Sequence, residues 1–362
     1  MTANTRPNAA QIRSARQDNP KMRERDLALS LDISEAELVA AQCGQQLDSP
    51  VASRARRINV DIETLLKGLG ALGEVMALTR NEFAVHEKIG VYETDKVHVG
   101  NGNAIILSEN IDLRIFPSVW AHGFAVEKQD TDGTVRRSLQ YFDRFGEAVH
   151  KVHLRPASDV AAYEALVTRM LSDDQNDALV VDLPGEAAPL GKKVIDVDTL
   201  RTRWSQITDV HQFFGMLRDL KLSRHEAVRM IGDEYAWPLA EDTILAMFNH
   251  AAQETIPIMC FIGNKGCIQI HSGPVSNIKL MGPWLNVMDP TFHMHLRADK
   301  IAETWVVRRP TKDGHVTSVE AYDEERNMIL QFFGKRHEGE VEREDWRFLV
   351  EHLPRLPQAS AA

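Results

Sequence analysis

The stretch Asn110-Ile111-Asp112-Leu113-Arg114-Ile115-Phe116 has a counterpart 183 residues further along the chain, where His293-Met294-His295-Leu296-Arg297 contains the same Leu-Arg pair. The same shift, without a gap, matches four further residues of the first half to identical ones in the second: Met76, Asn81, Lys96 and Asn103 to Met259, Asn264, Lys279 and Asn286. Each stretch is followed by two strand-like runs around a glycine turn, which is typical of a β-hairpin. This internal repeat indicates that one structural unit occurs twice.

Both copies also carry a helix-start signal ahead of their strands. Ser34 with Glu37, and Ser223 with Glu226, form the pattern Ser-x-x-Glu at the beginning of a periodic apolar run. In such a capping box the serine side chain accepts from the N3 amide, and the glutamate accepts from the N-cap amide. Runs of helices followed by runs of strands predict an α+β fold with largely antiparallel sheets.

We therefore predict an α+β fold built by tandem duplication of a unit in which helices precede an antiparallel sheet. The predicted divisions are a flexible N-terminal lead at 1–19, repeat 1 at 20–158, a connector at 159–207, repeat 2 at 208–350 and a C-terminal tail at 351–362. Helices are expected over 160–171 and 195–204, within the connector.

Composition argues against several classes of protein. The formal net charge of −10 over 362 residues opposes binding to nucleic acid. Residues 20–44 resemble a helix-turn-helix, but the second helix is acidic and lacks side chains that read bases. No window of about 18 apolar residues exists, so stable insertion into a membrane is not expected. Three cysteines without paired spacing, behind a polar N-terminus, predict a cytoplasmic location.

His211 is the first candidate for a ligand-binding side chain. It follows the capping residues Thr208 and Asp209 and precedes Phe214 and Leu217 at helical spacing. A neutral imidazole beside an apolar helix face suits a large apolar ligand with a metal centre, because imidazole is a usual ligand of haem iron. The alternative, more common on spacing alone, is a capping or packed histidine.

Basic and aromatic residues provide further candidates. Alternation places Asp112, Arg114 and Phe116 on one face of a predicted strand, where the guanidinium and the ring could stack on a flat ligand. Arg224 begins a helix and Arg309 ends a strand, and arginine is suited to bidentate capture of carboxylates. The alternative for each arginine is a solvated or salt-bridged surface residue.

Over about residues 18–350 the chain resembles the HemS/ChuS/PhuS-type haemin-degrading factors of bacterial haem uptake. One segment that carries the resemblance is Asp209-Val210-His211-Gln212-Phe213-Phe214-Gly215, and the others lie at 19–26, 111–116, 263–271 and 281–287. The resemblance implies one haem per chain, held in a cleft between helical and sheet layers. The residues implied to hold it are His211 on the iron, Arg114 on the distal face with Phe116 beside the ring, Phe261 against the macrocycle, and Arg224, Arg309 and Gln331 at or near the propionates.

The resemblance also implies two functions. The first is oxygenase-like opening of the haem ring, which releases iron after haem uptake, with Arg114 as the catalytic residue. This would require O₂ and an external reductant, because the chain has no flavin or nicotinamide motif. The alternative is a non-catalytic protein that stores haem or delivers it to a separate haem oxygenase. The implied partners are haem, an inner-membrane haem transporter ATPase and a haem oxygenase.

Overall fold

The computed structural model describes residues 6–48, 51–183, 185, 196–209, 212–337 and 339–356. Contacts divide the chain into two compact units. Unit 1 contains Met1–Arg80, Glu87–Ala187 and Gly263–Gln269, and unit 2 contains Asn81–His86, Ala188–Ile262 and Ile270–Ala362. Each unit therefore includes one short segment from the opposite half of the sequence.

The first half of the chain contains helices α1 to α5 and strands β1 to β9. In chain order these are α1 (Ala9–Asp18), α2 (Glu24–Ser30), α3 (Glu35–Ala40), β1 (Ser53–Ile58), α4 (Ile62–Leu69), β2 (Val75–Arg80), β3 (Ala84–Gly90), β4 (Val97–Val99), β5 (Ala104–Leu107), β6 (Asp112–Ile115), β7 (Trp120–Gln129), β8 (Val135–Asp143), β9 (Ala148–Leu154) and α5 (Val160–Met170).

The second half contains helices α6 to α10 and strands β10 to β18. In chain order these are α6 (Val197–Ser205), α7 (Gln212–Leu220), α8 (Arg224–Met230), β10 (Ala236–Leu239), α9 (Thr243–Gln253), β11 (Ile258–Gly263), β12 (Cys267–Gly273), β13 (Ile278–Met281), β14 (Trp284–Met288), β15 (Phe292–Arg297), β16 (Glu303–Thr311), β17 (Gly314–Tyr322), β18 (Met328–Gly334) and α10 (Glu344–Glu351). Helices α5 and α6 confirm the two helices expected in the connector, with ends that differ by one or two residues.

The strands of each unit are antiparallel neighbours. Unit 1 has the order β1-β7-β8-β9-β2 and a separate run β4-β5-β6. Unit 2 has the order β10-β16-β17-β18-β11 and a separate run β13-β14-β15. The predicted α+β class with antiparallel sheets is therefore confirmed, and the predicted hairpins are β7–β8 and β16–β17.

Both predicted capping boxes are present and fix where two helices begin. The Glu37 amide donates to Ser34 Oγ at 3.3 Å, and the Ser34 amide donates to the Glu37 carboxylate at 2.8 Å. The corresponding distances for Ser223 and Glu226 are 3.2 and 2.8 Å. Such a cap contributes about 1 kcal/mol to helix stability. It also sets the residue that follows each serine, Glu35 or Arg224, at the first helical position.

The five neighbouring strands β10-β16-β17-β18-β11 of unit 2 have helices on both faces. On one face Val306, Val319 and Phe332 pack in a core that contains α9 and α10 residues. On the other face Val307 belongs to a core with residues of α6, α7 and α8. Because neighbouring residues of a strand point to opposite faces, alternate β17 residues face each layer of helices. Among the helices of the described ranges, none has the length and apolarity needed to cross a bilayer.

Unit 1 contains a buried polar group centred on His150. Thr79 Oγ1 lies 2.8 Å from its Nδ1, and Tyr92 Oη lies 2.8 Å from its Nε2. Cys267 Sγ lies 3.5 Å from Thr79 Oγ1, so this cysteine is part of the same buried group. Burial, with a smaller contribution from His153, lowers the pKa of His150 to about 3. The imidazole is therefore neutral in the folded protein at any pH above that value.

We expect the free energy of unfolding to fall as the pH drops below about 6.5, where an unfolded histidine takes up a proton that folded His150 cannot bind. His150 should lower the free energy of unfolding by up to about 1.4 kcal/mol for each pH unit below that value. Urea unfolding of His150→Gln across this pH range should show a slope smaller by about one proton. The exposed His98→Gln variant should keep the parent slope. Equal slopes for His150→Gln and the parent would contradict the assignment.

Candidate functional site

Four of the predicted site residues lie close together in unit 2. Arg224 is the first residue of α8, Arg309 lies in β16, Gln331 in β18 and Phe261 in β11. Phe261 and Gln331 are directly opposite each other in the β11–β18 pair. Arg224 Nη2 donates to Gln331 Oε1 at 3.3 Å. The structure thus brings together side chains that are up to about one hundred residues apart in sequence.

Aromatic rings surround the two guanidinium groups of this cluster. The Arg309 guanidinium carbon lies 5.4 Å from the ring centroid of Phe213 and 5.3 Å from that of Phe333. The Arg224 guanidinium carbon lies 5.1 Å from the Phe213 centroid. Phe333 in turn packs edge-on against Phe261, with centroids 5.1 Å apart. Cation–π contacts of this kind hold an arginine beside an apolar surface without neutralising its charge.

Glu320 binds Arg224 from the neighbouring strand β17. Arg224 Nε donates to Glu320 Oε2 at 2.8 Å, and Arg224 Nη2 donates to Glu320 Oε1 at 2.5 Å. Ser318 Oγ and Tyr322 Oη each donate to the same carboxylate at 2.6 Å. Burial alone would raise the pKa of Glu320, but the charge and hydrogen bonds of Arg224 outweigh it and lower that pKa to about 2. Glu320 is therefore a buried anion at neutral pH.

Sequence reasoning missed Glu320, although a signal for it exists. Ser318, Glu320 and Tyr322 alternate with the apolar Val319 and Ala321 along β17. A charged residue in such a run points to the opposite face from the apolar core. All five residues are buried, so the polar face of β17 is covered as completely as the apolar face. A charge on a covered face requires a partner, which marks Glu320 as half of an ion pair.

Arg309 is a buried cation without a carboxylate partner among the described residues. Its side chain belongs to a residue only 4% exposed, and its Nε has no hydrogen-bond partner there. Arg224 Nη1 also lacks a partner. Burial and the neighbouring Arg224 lower the pKa of Arg309 to about 9, which leaves it charged at neutral pH. Two buried guanidinium groups beside one buried carboxylate give the cluster a surplus positive charge, which favours an anionic ligand.

A second pair, between the buried His225 and the half-buried Glu303, also contacts α8. His225 Nε2 lies 3.0 Å from Glu303 Oε2, and Trp305 Nε1 donates to the same oxygen at 2.7 Å. The His225 ring is also edge-on to Tyr322, with centroids 5.0 Å apart. These contacts fix the first turn of α8 against β16 and β17. They therefore help to hold Arg224 in place over the sheet.

Of the remaining predicted site residues, Arg114 and Phe116 lie in unit 1. His211 is outside the described residues, and α7 begins at the next residue, Gln212. Arg114 is in β6 of unit 1 and forms an ion pair with Asp112 on the same strand face. The expected alternation is correct for these two residues, whose neighbours Leu113 and Ile115 are buried. Phe116 follows the end of β6 and is 36% exposed.

Unit 1 has a different set of charges at the corresponding position. Glu35 begins α3 as Arg224 begins α8, and Lys151 faces Gln140 in the β8–β9 pair as Gln331 faces Glu320 in the β17–β18 pair. Glu35 forms ion pairs with Lys151 and Arg80. Lys151 also lies 3.3 Å from Glu24, which forms a further pair with Lys128. Arg80, Lys128 and Lys151 each contact a carboxylate, so this cluster, unlike that of unit 2, has no unpaired cation among the described residues.

We expect Arg309→Met to leave the free energy of unfolding of the ligand-free protein unchanged, or to raise it by about 1 kcal/mol, because the variant no longer buries an uncompensated charge. The matched control is Arg224→Met, which should lower it by about 3 kcal/mol because Glu320 is left buried and unpaired. Urea denaturation measures both values. If Arg309→Met lowers the free energy of unfolding as much as Arg224→Met does, Arg309 is a structural residue and is not part of an anion site.

Comparison with known proteins identifies the family. The family model of the haemin-degrading HemS.ChuX domain matches twice, over residues 32–170 and 221–353. The hemin transport protein HemS of Yersinia enterocolitica is 37% identical over 343 residues, which cover 95% of this chain and 96% of HemS.

Two solved structures are similar over nearly the whole chain. Holo-PhuS, a heme-binding protein from Pseudomonas aeruginosa, has a TM-score of 0.90 and 42% identity, and the match covers 97% of this chain and 100% of that one. ChuS, an E. coli heme oxygenase, has a TM-score of 0.81 and 34% identity, with 93% and 98% covered. The protein therefore belongs to the family of the haemin-degrading HemS.ChuX domain.

Proposed function

We propose that this protein binds haem as part of haem utilisation, with a propionate of the haem at the basic cluster of unit 2. The observation that carries the proposal is Arg309, a buried guanidinium that has no carboxylate partner in the described part of the chain and lies beside Arg224, whose Nη1 also has no partner there. Haem presents carboxylates at one edge of a flat apolar ring. That shape matches a surplus cation beside aromatic side chains. The names of HemS, PhuS and ChuS support haem over other anions.

The side chains of this cluster in unit 2 are of the chemical types that would bind haem. Phe261, Phe213 and Phe333 supply apolar surface for the macrocycle, and Gln331 supplies a polar group near the propionate. We further propose His211, one residue before α7, as the iron ligand, because a neutral imidazole is a common proximal ligand of haem iron. The ring would then lie between the helices and the sheet of repeat 2.

The wider organisation is part of the same proposal. We propose that the chain is a tandem duplication with repeats at 20–158 and 208–350, and that repeat 2 holds the only haem. Repeat 1 has carboxylates among its buried cations, which does not suit an anionic ligand. We also propose that the protein works in the cytoplasm and receives haem from an inner-membrane transporter ATPase. Three buried free cysteines are consistent with a reducing compartment.

For the chemistry, we propose oxygen-dependent opening of the haem ring with Arg114 as the catalytic residue and Phe116 beside the ring. Arg114 would donate hydrogen bonds to the oxygen-bearing face of the haem, and O₂ and an external reductant would be consumed. The second candidate is haem carriage to a separate haem oxygenase. It is favoured by the ion pair between Arg114 and Asp112, which occupies part of that guanidinium.

Titration with haemin should give a Soret band that saturates at about one haem per chain, with the iron bound by one imidazole. In His211→Ala the band should shift and weaken, because the iron loses its protein ligand. His250→Ala, which changes an exposed histidine in α9, should behave like the parent protein. A His211→Ala spectrum identical to that of the parent would remove His211 from the site.

Turnover of bound haem with ascorbate and O₂ separates the two candidate functions. If the protein is an enzyme, ring opening should persist in the presence of catalase and fall by about 100-fold or more in Arg114→Ala, as for loss of a key hydrogen-bond donor. Arg136→Ala, an exposed arginine of unit 1, is the control. Ring opening that disappears with catalase would favour carriage instead, because free peroxide would be the oxidant.

A further inference from the structure

We propose that Tyr92 and His150 form a redox-active pair in the core of unit 1, in which Tyr92 gives one electron to a strong oxidant while its phenolic proton moves to His150 Nε2. The products are a neutral tyrosyl radical and a protonated imidazole, and the oxidant is reduced by one electron. Reduction of the radical by ascorbate or a small thiol returns the proton to Tyr92. This activity goes beyond haem binding, and only one source of the oxidant, peroxide acting on bound haem, rests on the proposed function.

The first step of the argument is the direction of the hydrogen bonds around His150. Tyr92 Oη lies 2.8 Å from its Nε2, and Thr79 Oγ1 lies 2.8 Å from its Nδ1. Thr79 Oγ1 donates its own proton to Cys267 Sγ at 3.5 Å, which leaves it as an acceptor for a proton on Nδ1. Nε2 is then the acceptor of the Tyr92 proton, and every donor in the chain has a partner. The opposite tautomer would leave the phenolic proton of the fully buried Tyr92 without an acceptor among the described residues.

The second step is the effect of this geometry on the phenol. A tyrosine that loses an electron becomes a very strong acid, so its oxidation is easier when a base already accepts its proton. His150 is a base in the required state, because burial lowers its pKa to about 3 and keeps it neutral. That pKa still lies far above the pKa of an oxidised phenol. The proton therefore moves to His150 as the electron leaves Tyr92.

The third step is that the fold does not require these polar side chains. The internal repeat relates them to four apolar residues of unit 2: Thr79 to Ile262, Tyr92 to Val275, Cys267 to Ala84 and His150 to Leu330. The first three matches follow the shift of 183 residues. The fourth follows the strand pairs β8–β9 and β17–β18, in which Lys151 and Gln331 are the next residues. All four counterparts lie in one hydrophobic core, so the polar chain of unit 1 is not needed for packing.

None of the other three buried tyrosines of the described ranges is paired with a base that can take a proton at little cost. Tyr163 Oη donates to a backbone carbonyl at 3.4 Å, and a carbonyl does not hold a proton at neutral pH. Tyr141 Oη has no hydrogen-bond partner there. Tyr322 donates to Glu320, but a proton on that carboxylate would leave the buried Arg224 without a counter-ion. Tyr92 is therefore the buried tyrosine best suited to oxidation.

Trp120 provides an electron route to the pair, because Tyr92 itself has no exposed surface. The two residues belong to the same hydrophobic core. The Trp120 ring centroid lies 6.0 Å from that of His150 and 4.9 Å from that of Tyr141. Electrons tunnel readily between aromatic rings at such separations, so an oxidised indole can draw an electron from Tyr92 without direct contact between Tyr92 and the oxidant.

The experiment oxidises the ligand-free protein with azide radicals produced by pulse radiolysis at neutral pH. The parent protein should form a tyrosyl radical, detected by its absorption and, after freezing, by electron paramagnetic resonance. Tyr92→Phe should lose most of this signal, because the phenol with a proton acceptor is gone. Tyr163→Phe is the matched control, since it removes a buried phenol that faces only a carbonyl, and it should keep the parent signal.

His150→Leu tests the role of the base. Leu330 at the corresponding place in unit 2 shows that this core position accepts leucine. The variant keeps Tyr92 but should form the radical about 100-fold more slowly, which is the scale expected for loss of a positioned general base. High-field electron paramagnetic resonance of the parent should also show a hydrogen bond from an imidazole to the phenoxyl oxygen. This last measurement needs no substitution and does not depend on the folding of a variant.

The outcomes separate this inference from the proposed function. A tyrosyl signal that is unchanged in Tyr92→Phe, or a phenoxyl oxygen without a hydrogen bond in the parent, would overturn the inference. Folded His150→Leu that forms the radical at the parent rate would do the same. Because no haem is present, each of these results leaves haem binding untouched. Failure of the parent protein to bind haemin would instead remove the proposed function and leave the redox pair in place.

Discussion

The buried ion pair between Arg224 and Glu320 is the interaction on which the candidate site depends. Such a pair gains little net stability when both partners are present, but losing either partner leaves an uncompensated charge in the protein interior. In this protein it has a further consequence, because Glu320 neutralises Arg224 and occupies its Nε and Nη2 donors. The neighbouring Arg309 is then the surplus charge, held among Phe213 and Phe333. One cation is neutralised and the other is not, and this imbalance favours an anionic ligand.

Unit 1 and unit 2 share the same local structure at the start of α3 and α8, but the first helical residue has the opposite charge in the two units. A capping box begins α3 and α8 in the same way, and each helix presents its first residue to the sheet. In unit 1 that residue is Glu35 and its partner on the sheet is Lys151. In unit 2 it is Arg224, and the partner is Glu320. The first residue of the helix is thus an anion in unit 1 and a cation in unit 2. The unit 1 cluster has a carboxylate for each of its cations, whereas the unit 2 cluster keeps one cation that could bind an anionic ligand.

Local signals in the sequence predicted much of this arrangement. The Ser-x-x-Glu patterns placed the starts of α3 and α8, and the glycine turns placed the hairpins β7–β8 and β16–β17. Arg224, Arg309, Gln331 and Phe261 were assigned to one site by resemblance, and they lie together in unit 2. By contrast, Glu320 was missed because its partner is 96 residues away, and nothing local shows that both faces of β17 are covered. The short segments Asn81–His86 and Gly263–Gln269 belong to the unit of the other half for a similar reason, since their contacts are non-local.

The most direct test is a crystal structure of the protein with haem bound. A surplus cation at Arg309 predicts one propionate oxygen within about 3 Å of the Arg309 guanidinium, with Glu320 still bound to Arg224. A complex in which neither propionate approaches Arg309, or in which Glu320 has left Arg224 to make room for the ligand, would contradict it.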